Sequence, residues 1–191
     1  MSGMISSLAK RNMKALASAI GATLIGFVQS GIGAVLRSIL EKMRETVSAQ
    51  DFGVAGDGTD ETTKMQKALD SLTQGGTLIC PPNATILISA QLTFKPNTRL
   101  ELNGATIKQK AGANTGDLMY VGASASGVTI RNGTIDINVV GQAYVGAKTD
   151  VGRAIFAYQA VGLRVEKVKF KNPYGSMILA ASSSNIAVEK C

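Results

Sequence analysis

Residues 100–107 read LELNGATI, residues 128–135 read VTIRNGTI and residues 163–170 read LRVEKVKF. Each stretch places apolar side chains at its first, third and eighth positions. These are Leu100, Leu102 and Ile107, then Val128, Ile130 and Ile135, then Leu163, Val165 and Phe170. Ile186 and Val188 open a fourth copy. The copies start 28, 35 and 23 residues apart, which is the spacing of solenoid rungs with loop insertions in the longer intervals. The first and third positions of a strand share one face. The pattern therefore predicts coils of parallel strand whose apolar residues stack inward. Asn103-Gly104 and Asn132-Gly133 fall where such a coil needs a left-handed corner, and Glu166-Lys167 fill that place in the third copy.

Upstream, residues 76–107 already have this texture: short β segments punctuated by Pro81-Pro82, Asn97 and Asn103-Gly104. Before them, residues 47–72 read VSAQDFGVAGDGTDETTKMQKALDSL. A glycine-rich turn leads into a helix with Thr59 or Asp60 as N-cap, Asp60 and Glu61 at the positive end of its dipole, and Met65, Ala68, Leu69 and Leu72 on one face. The turn is neither a Walker loop nor GxGxxG, and the acids lack EF-hand spacing.

This run resembles the lead-in of the pectate-lyase-like, right-handed β-helix superfamily. The matching residues are Val47-Ser48, Asp51-Phe52-Gly53, Gly56-Asp57-Gly58, Thr59-Asp60, Thr62, Met65-Gln66 and Ala68-Leu69, followed by Gly75-Gly76, Pro81-Pro82 and Ile86-Leu87-Ile88. The preceding Gly21-Ala22, Leu24-Ile25-Gly26-Phe27, Gly31-Ile32-Gly33-Ala34-Val35 and Lys42-Met43-Arg44-Glu45 resemble the linker ahead of this lead-in in bacteriophage tailspikes. Ile32 stands where that linker carries Thr, and one residue fewer separates Gly58 from Asp60. The expected fold class is mainly β: the first rungs of a right-handed parallel β-helix, capped by a helix and preceded by an α-helical arm. The expected domains are 1–50, an arm and neck, and 51–191, the β-helix. SSSNIAVEKC stops inside a repeat, so the β-helix is expected to be incomplete at its C-terminal end.

Residues 5–20 and 33–46 carry helical apolar spacing, with Arg37 and Glu41 as an i,i+4 pair in the second. An amphipathic helix of this length is marginal alone, so its apolar face needs a partner. Between Lys14 and Arg37 lie 22 uncharged residues, enough to raise a membrane span or a signal peptide. Four glycines with Gln29 and Ser30 argue against a span, and no A-x-A cleavage site is present.

The chain has 191 residues, 45% hydrophobic and 17% charged, with a net charge of +7. Histidine is absent, which excludes imidazole bases and ligands. Cys80 and Cys191 are the only cysteines, so neither a metal site nor a cofactor site is expected. No basic stripe with interleaved aromatics points to nucleic acid. Glu101, Asp117, Asp136, Asp150, Glu166 and Glu189 are the acids of the coils. Glu101, Asp136, Glu166 and Glu189 alternate with interior positions and are expected outward. A glycosidase needs a carboxylate pair about 5–9.5 Å apart, and no catalytic residue is assigned. Tyr120, Tyr144, Phe156, Tyr158 and Tyr174 are the aromatics available for stacking on sugars, with Phe170 inside.

The resemblance implies a virion tail component. Residues 1–50 would hold a homotrimer together and attach to the phage tail or baseplate, and the β-helix would bind host surface polysaccharide, with depolymerisation on later coils. Two alternatives stand beside it: a secreted pectinase-like lyase or hydrolase, and a non-catalytic structural tail adaptor.

Overall fold

A computed structural model describes residues 13–14, 21–144 and 152–191. It divides into two compact units, Met1–Glu45 and Thr46–Cys191.

In the first unit, α1 (Gly21–Leu24) precedes β1 (Gly26–Phe27), which pairs antiparallel with β2 (Arg37–Ser38). Only α2 (Ile39–Met43) follows. The helix expected over 33–46 is thus a hairpin arm and a five-residue helix. Two features explain the difference. Gly31 and Gly33 adopt positive φ and turn the chain back. Ser38 then starts the helix late, because its hydroxyl accepts from Glu41 N while the Glu41 carboxylate accepts from Ser38 N, a capping box. Arg37 binds Glu45 Oε1 at 2.5 Å, not the Glu41 carboxylate expected at i+4; it donates instead to the Glu41 carbonyl. The helix expected over 5–20 lies outside the described residues, apart from Met13 and Lys14. Among the described residues no helix is long and apolar enough to cross a membrane.

The second unit is a parallel β-helix. β3 (Thr46–Ser48), β5 (Gly76–Ile79) and β8 (Thr98–Glu101) begin one sheet. β4 (Asp57–Asp60), β6 (Thr85–Ile88) and β9 (Thr106–Gln109) begin a second. β11 (Thr129–Asp136) and β13 (Arg164–Lys171) run through both, and β15 (Ala187–Glu189) follows on the first. A third sheet stacks β7 (Leu92–Thr93), β10 (Asp117–Val121), β12 (Arg153–Tyr158) and β14 (Ile178–Ala181). All of these pairings are parallel.

The apolar columns form as the alternation predicts. Leu78, Leu100, Ile130, Val165 and Val188 stack in register, as do Ile86, Ile107, Ile135 and Phe170. Leu102, Ile130 and Val165 are all fully buried in the same core. The register corrects one detail of the repeat. Leu100, not Leu102, lies against Ile130, so the first interval is 30 residues and not 28. Four residues, 102–105, separate the paired Glu101 and Thr106, where two, Asn132 and Gly133, separate the paired Arg131 and Thr134. The earlier corner is therefore longer by two, and a shift of two keeps every side chain on its face.

Corner conformation is more uniform than corner chemistry. Asn103, Asn132, Lys167 and Lys190 all have positive φ, between 50° and 61°. Gly133 is not left-handed; it is required because a Cβ there would meet Ala105 O at 2.6 Å.

The helix α3 (Thr62–Asp70) covers the start of the coils, burying Met65, Ala68 and Leu69. Gln66 ties it to β7, accepting from Thr93 N at 2.9 Å, and Ser89 N donates to Thr62 Oγ1 at 2.7 Å. The N-cap is Glu61, without a side-chain cap bond, and not Thr59 or Asp60 as expected; Asp60, one residue earlier in the chain, instead accepts from Thr62 N through its Oδ1. Glu61 does not sit at the dipole in solvent. It is fully buried, and its carboxylate accepts from Ala55 N at 2.6 Å and Gly56 N at 3.0 Å, clamping the glycine-rich turn.

Candidate functional site

The third sheet carries the richest outward face. In β10 and β12, Met119, Val121, Ile155 and Ala157 point into the core and are fully buried. Alternation then turns Tyr120, Phe156 and Tyr158 outward. Tyr120 and Phe156 are partners in register, their ring centroids 5.8 Å apart. Tyr158 follows Phe156 on the same strand at 6.0 Å. Tyr120 and Phe156 are half-buried, while Tyr158 is 41% exposed. The Tyr120 ring leans over Gly122, where a Cβ would come within 2.8 Å of Tyr120 Cε1. Thr93 and Leu179 flank the row on β7 and β14, and Ala181 lies in register beside Tyr158.

One ion pair lies at the start of these two strands. Asp117 and Arg153 are also partners in register, both nearly buried, and Arg153 Nε donates to Asp117 Oδ1. The guanidinium lies 4.5 Å from the Phe156 ring centroid. Gln91 Nε2 donates to the other Asp117 oxygen at 3.4 Å. The charge of Arg153 is thus paired with Asp117 on the neighbouring strand, and the guanidinium supports Phe156.

A second aromatic pair, Tyr144 and Tyr174, has centroids 4.8 Å apart. Tyr144 donates its hydroxyl to Gln109, a fully buried side chain, and partial burial raises the Tyr144 pKa above the ordinary phenol value.

The other acids of the coils are held by neighbouring rungs. Glu101 accepts from Arg131 Nε at 2.6 Å, Asn132 Nδ2 at 2.9 Å and Asn103 N at 3.1 Å. Asp136 accepts from Asn138 N and Asn172 Nδ2, both at 2.8 Å, and is buried. Glu166 and Glu189 both pair with Arg164. Side chains of the next coil thus engage both Glu101 and Asp136, Arg131 and Asn132 on Glu101 and Asn172 on Asp136. Asp150 lies outside the described residues. Among the described residues no cluster of three or more His, Cys, Asp or Glu could hold a metal.

No family model matches the chain. A polygalacturonase of Persea americana is 40% identical over 63 residues, which is 30% of this chain and 13% of that protein. Among solved structures, a candidate glycosyl hydrolase from Parabacteroides merdae matches with a TM-score of 0.66 at 18% identity, over 76% of this chain and 72% of that one. PfbA, a surface adhesin of Streptococcus pneumoniae, matches at 0.63 and 26% identity, over 75% of this chain and 37% of that one. A mutant tailspike of E. coli bacteriophage HK620, in complex with a pentasaccharide, matches at 0.62 and 16% identity, over 95% of this chain and 41% of that one. The chain thus spans well under half of the adhesin and the tailspike. These likenesses define the class by its fold: a parallel β-helix, the architecture this chain has in common with that hydrolase, that adhesin and that tailspike.

Proposed function

We propose that this chain belongs to a phage tailspike whose β-helix binds polysaccharide on the host surface. One observation carries the reading. The likeness to the hydrolase and the adhesin covers 75–76% of the chain, a share no longer than the β-helix unit, whereas the likeness to the tailspike covers 95%. The tailspike match therefore extends into residues of the first unit. That unit exposes Leu24, Val28, Ile32, Val35, Leu36 and Met43, a large apolar surface for so short a segment, and it fits the trimer-holding, tail-attaching role assigned to residues 1–50. The β-helix over residues 51–191 presents half-exposed aromatic rings of the kind that stack on sugars.

The test is retention on immobilised bacterial O-antigens and capsules, with the molar mass measured by light scattering. Binding to at least one polysaccharide by a species of three chains is expected. A monomer that binds none overturns the reading. A pectinase-like enzyme is the second reading, favoured by the polygalacturonase identity. Release of reducing ends or unsaturated products from polygalacturonate would establish it.

A further inference from the structure

Resting on the polysaccharide-binding reading above, we propose that the outward face of the third sheet is a subsite for uncharged pyranose rings, with Tyr158 as its principal contact. Three observations converge there. From β10 to β14 the face is apolar and aromatic: Tyr120 and Phe156 in register, Tyr158 next on the strand, Leu179 and Ala181 on the following one. It has relief suited to a ring. Tyr158 stands 41% exposed, with the small Ala181 in register on its β14 side, while on the β10 side the Tyr120 ring lies over Gly122. Among the described residues of its strands the only charged side chains are Asp117 and Arg153, which pair with each other beside Phe156.

The chemistry of the ligand follows. An apolar CH face of a neutral sugar gains dispersion and hydrophobic contact with a phenol ring. A carboxylated or phosphorylated sugar would bring a charge to strands whose one described cation, Arg153, is already paired with Asp117, and would lose hydration without compensation. Polyanions have a different face to choose. Lys167, Lys169 and Lys171 are exposed on β13, on the outer side of the second sheet and its corner. Arg153 is a positioning residue: its guanidinium backs the Phe156 ring while Asp117 holds it in place. Successive rings are tilted by 49° and 38°, so one sugar face can lie flat on only one or two of them.

The experiment titrates the full chain with neutral cello-, manno- and chito-oligosaccharides and, in parallel, with oligogalacturonates. Binding is read by tyrosine fluorescence, which is unmasked because the chain lacks tryptophan, and by ligand-observed NMR. At least one neutral series is expected to bind. Tyr158→Ala is expected to weaken it about tenfold and Tyr158→Phe to leave it within about twofold, since the ring is what is used. Lys169→Gln with Lys171→Gln should change nothing. Tyr158 is exposed, so both variants should keep the wild-type far-UV circular dichroism; if Tyr158→Ala does not, ligand-induced shifts of the wild-type tyrosine ring resonances decide the point. Neutral-sugar binding that ignores Tyr158→Ala, or binding of acidic oligomers lost with the lysines, overturns this subsite and leaves polysaccharide binding intact. Absence of binding to any of these or to bacterial polysaccharides overturns both.

Discussion

Thr98 is the one place among the described residues where the interior breaks its own rule. It is fully buried, and its Oγ1 has no hydrogen-bond partner. The register explains its position. Gly76 pairs with Thr98 on one side, and because Arg99 pairs with Thr129, Val128 lies against Thr98 on the other. Thr98 thus stands in a column that continues through Val128 and Leu163, both buried. A buried polar group without a partner costs about 1–3 kcal/mol. Thr98→Val keeps the branched shape, supplies a methyl where the hydroxyl stood and suits a strand. A gain of about 1 kcal/mol is expected, which for a domain of this size raises the midpoint by about 3–4 °C. The reciprocal change, Val128→Thr, buries a hydroxyl at the next coil of the same column and should cost about 1–3 kcal/mol. Thermal and urea unfolding followed by circular dichroism measure both. A Thr98→Val protein less stable than wild type would refute the reasoning, because it would mean that the hydroxyl is satisfied, for instance by water above Gly76.

Three further outcomes are expected. Lys167 holds φ at 50° where Asn132 sits in register, and a lysine pays about 1 kcal/mol for that conformation; Lys167→Asn should raise the urea midpoint by about 0.5–1 kcal/mol equivalent, and an unchanged or lower midpoint counts against the corner assignment. Burial, with Glu101 adding to it, pushes the Cys80 thiol up to about 12, while Cys191 is exposed, so a thiol reagent at mildly alkaline pH should label one cysteine in the native chain and the second only on unfolding. Asp60 is opposed by desolvation, yet hydrogen bonds from Ser89 and Thr62 and the charge of Lys110 hold its carboxyl at about 2 against an ordinary 3.8. Its contribution is present above pH 4 and fades as pH falls toward 2; solvent screening limits it to about 1 kcal/mol, and Asp60→Asn should flatten the acid limb of stability against pH by that amount.

Much of this fold is legible in the chain because inward residues repeat on a face. Ile107, Ile135 and Phe170 are matched by spacing alone and stack as matched. Register is less legible. Leu100 and Leu102 are equivalent to a period-2 pattern, and only the length of the corner at Asn103-Gly104 decides which of them meets Ile130. Glu61 is illegible for a different reason. An acid at a helix start has a sufficient role at the dipole, and nothing local shows that the turn at Val54–Gly56 folds back to bring two N–H groups onto it. Ser38 could have been read: with Glu41 three residues on it is a capping box, stronger than the apolar spacing that extended the helix back to residue 33. The aromatic face was half readable. Tyr120, Phe156 and Tyr158 stand out as the few aromatics available, but they lie outside the matched repeats and their adjacency depends on a coil length.

That dependence ties the aromatic row to the register of the third sheet. Tyr120 and Phe156 are 36 residues apart, as are Asp117 and Arg153, and one register brings both pairs to neighbouring strands about 4.8 Å apart. The same register seats Met119 on Ile155 inside. A slip of one residue would turn Phe156 inward and Ile155 outward, at the full cost of exposing a core side chain. A slip of two would keep the core apolar but set Tyr120 against Ala154 or Tyr158, breaking the row and separating Asp117 from Arg153. The buried ion pair rejects that second slip, since either charge left alone at that depth costs several kcal/mol. The Asp117–Arg153 pair therefore acts as the register lock of the third sheet, and the aromatic row is aligned by the residue that also supports its middle ring.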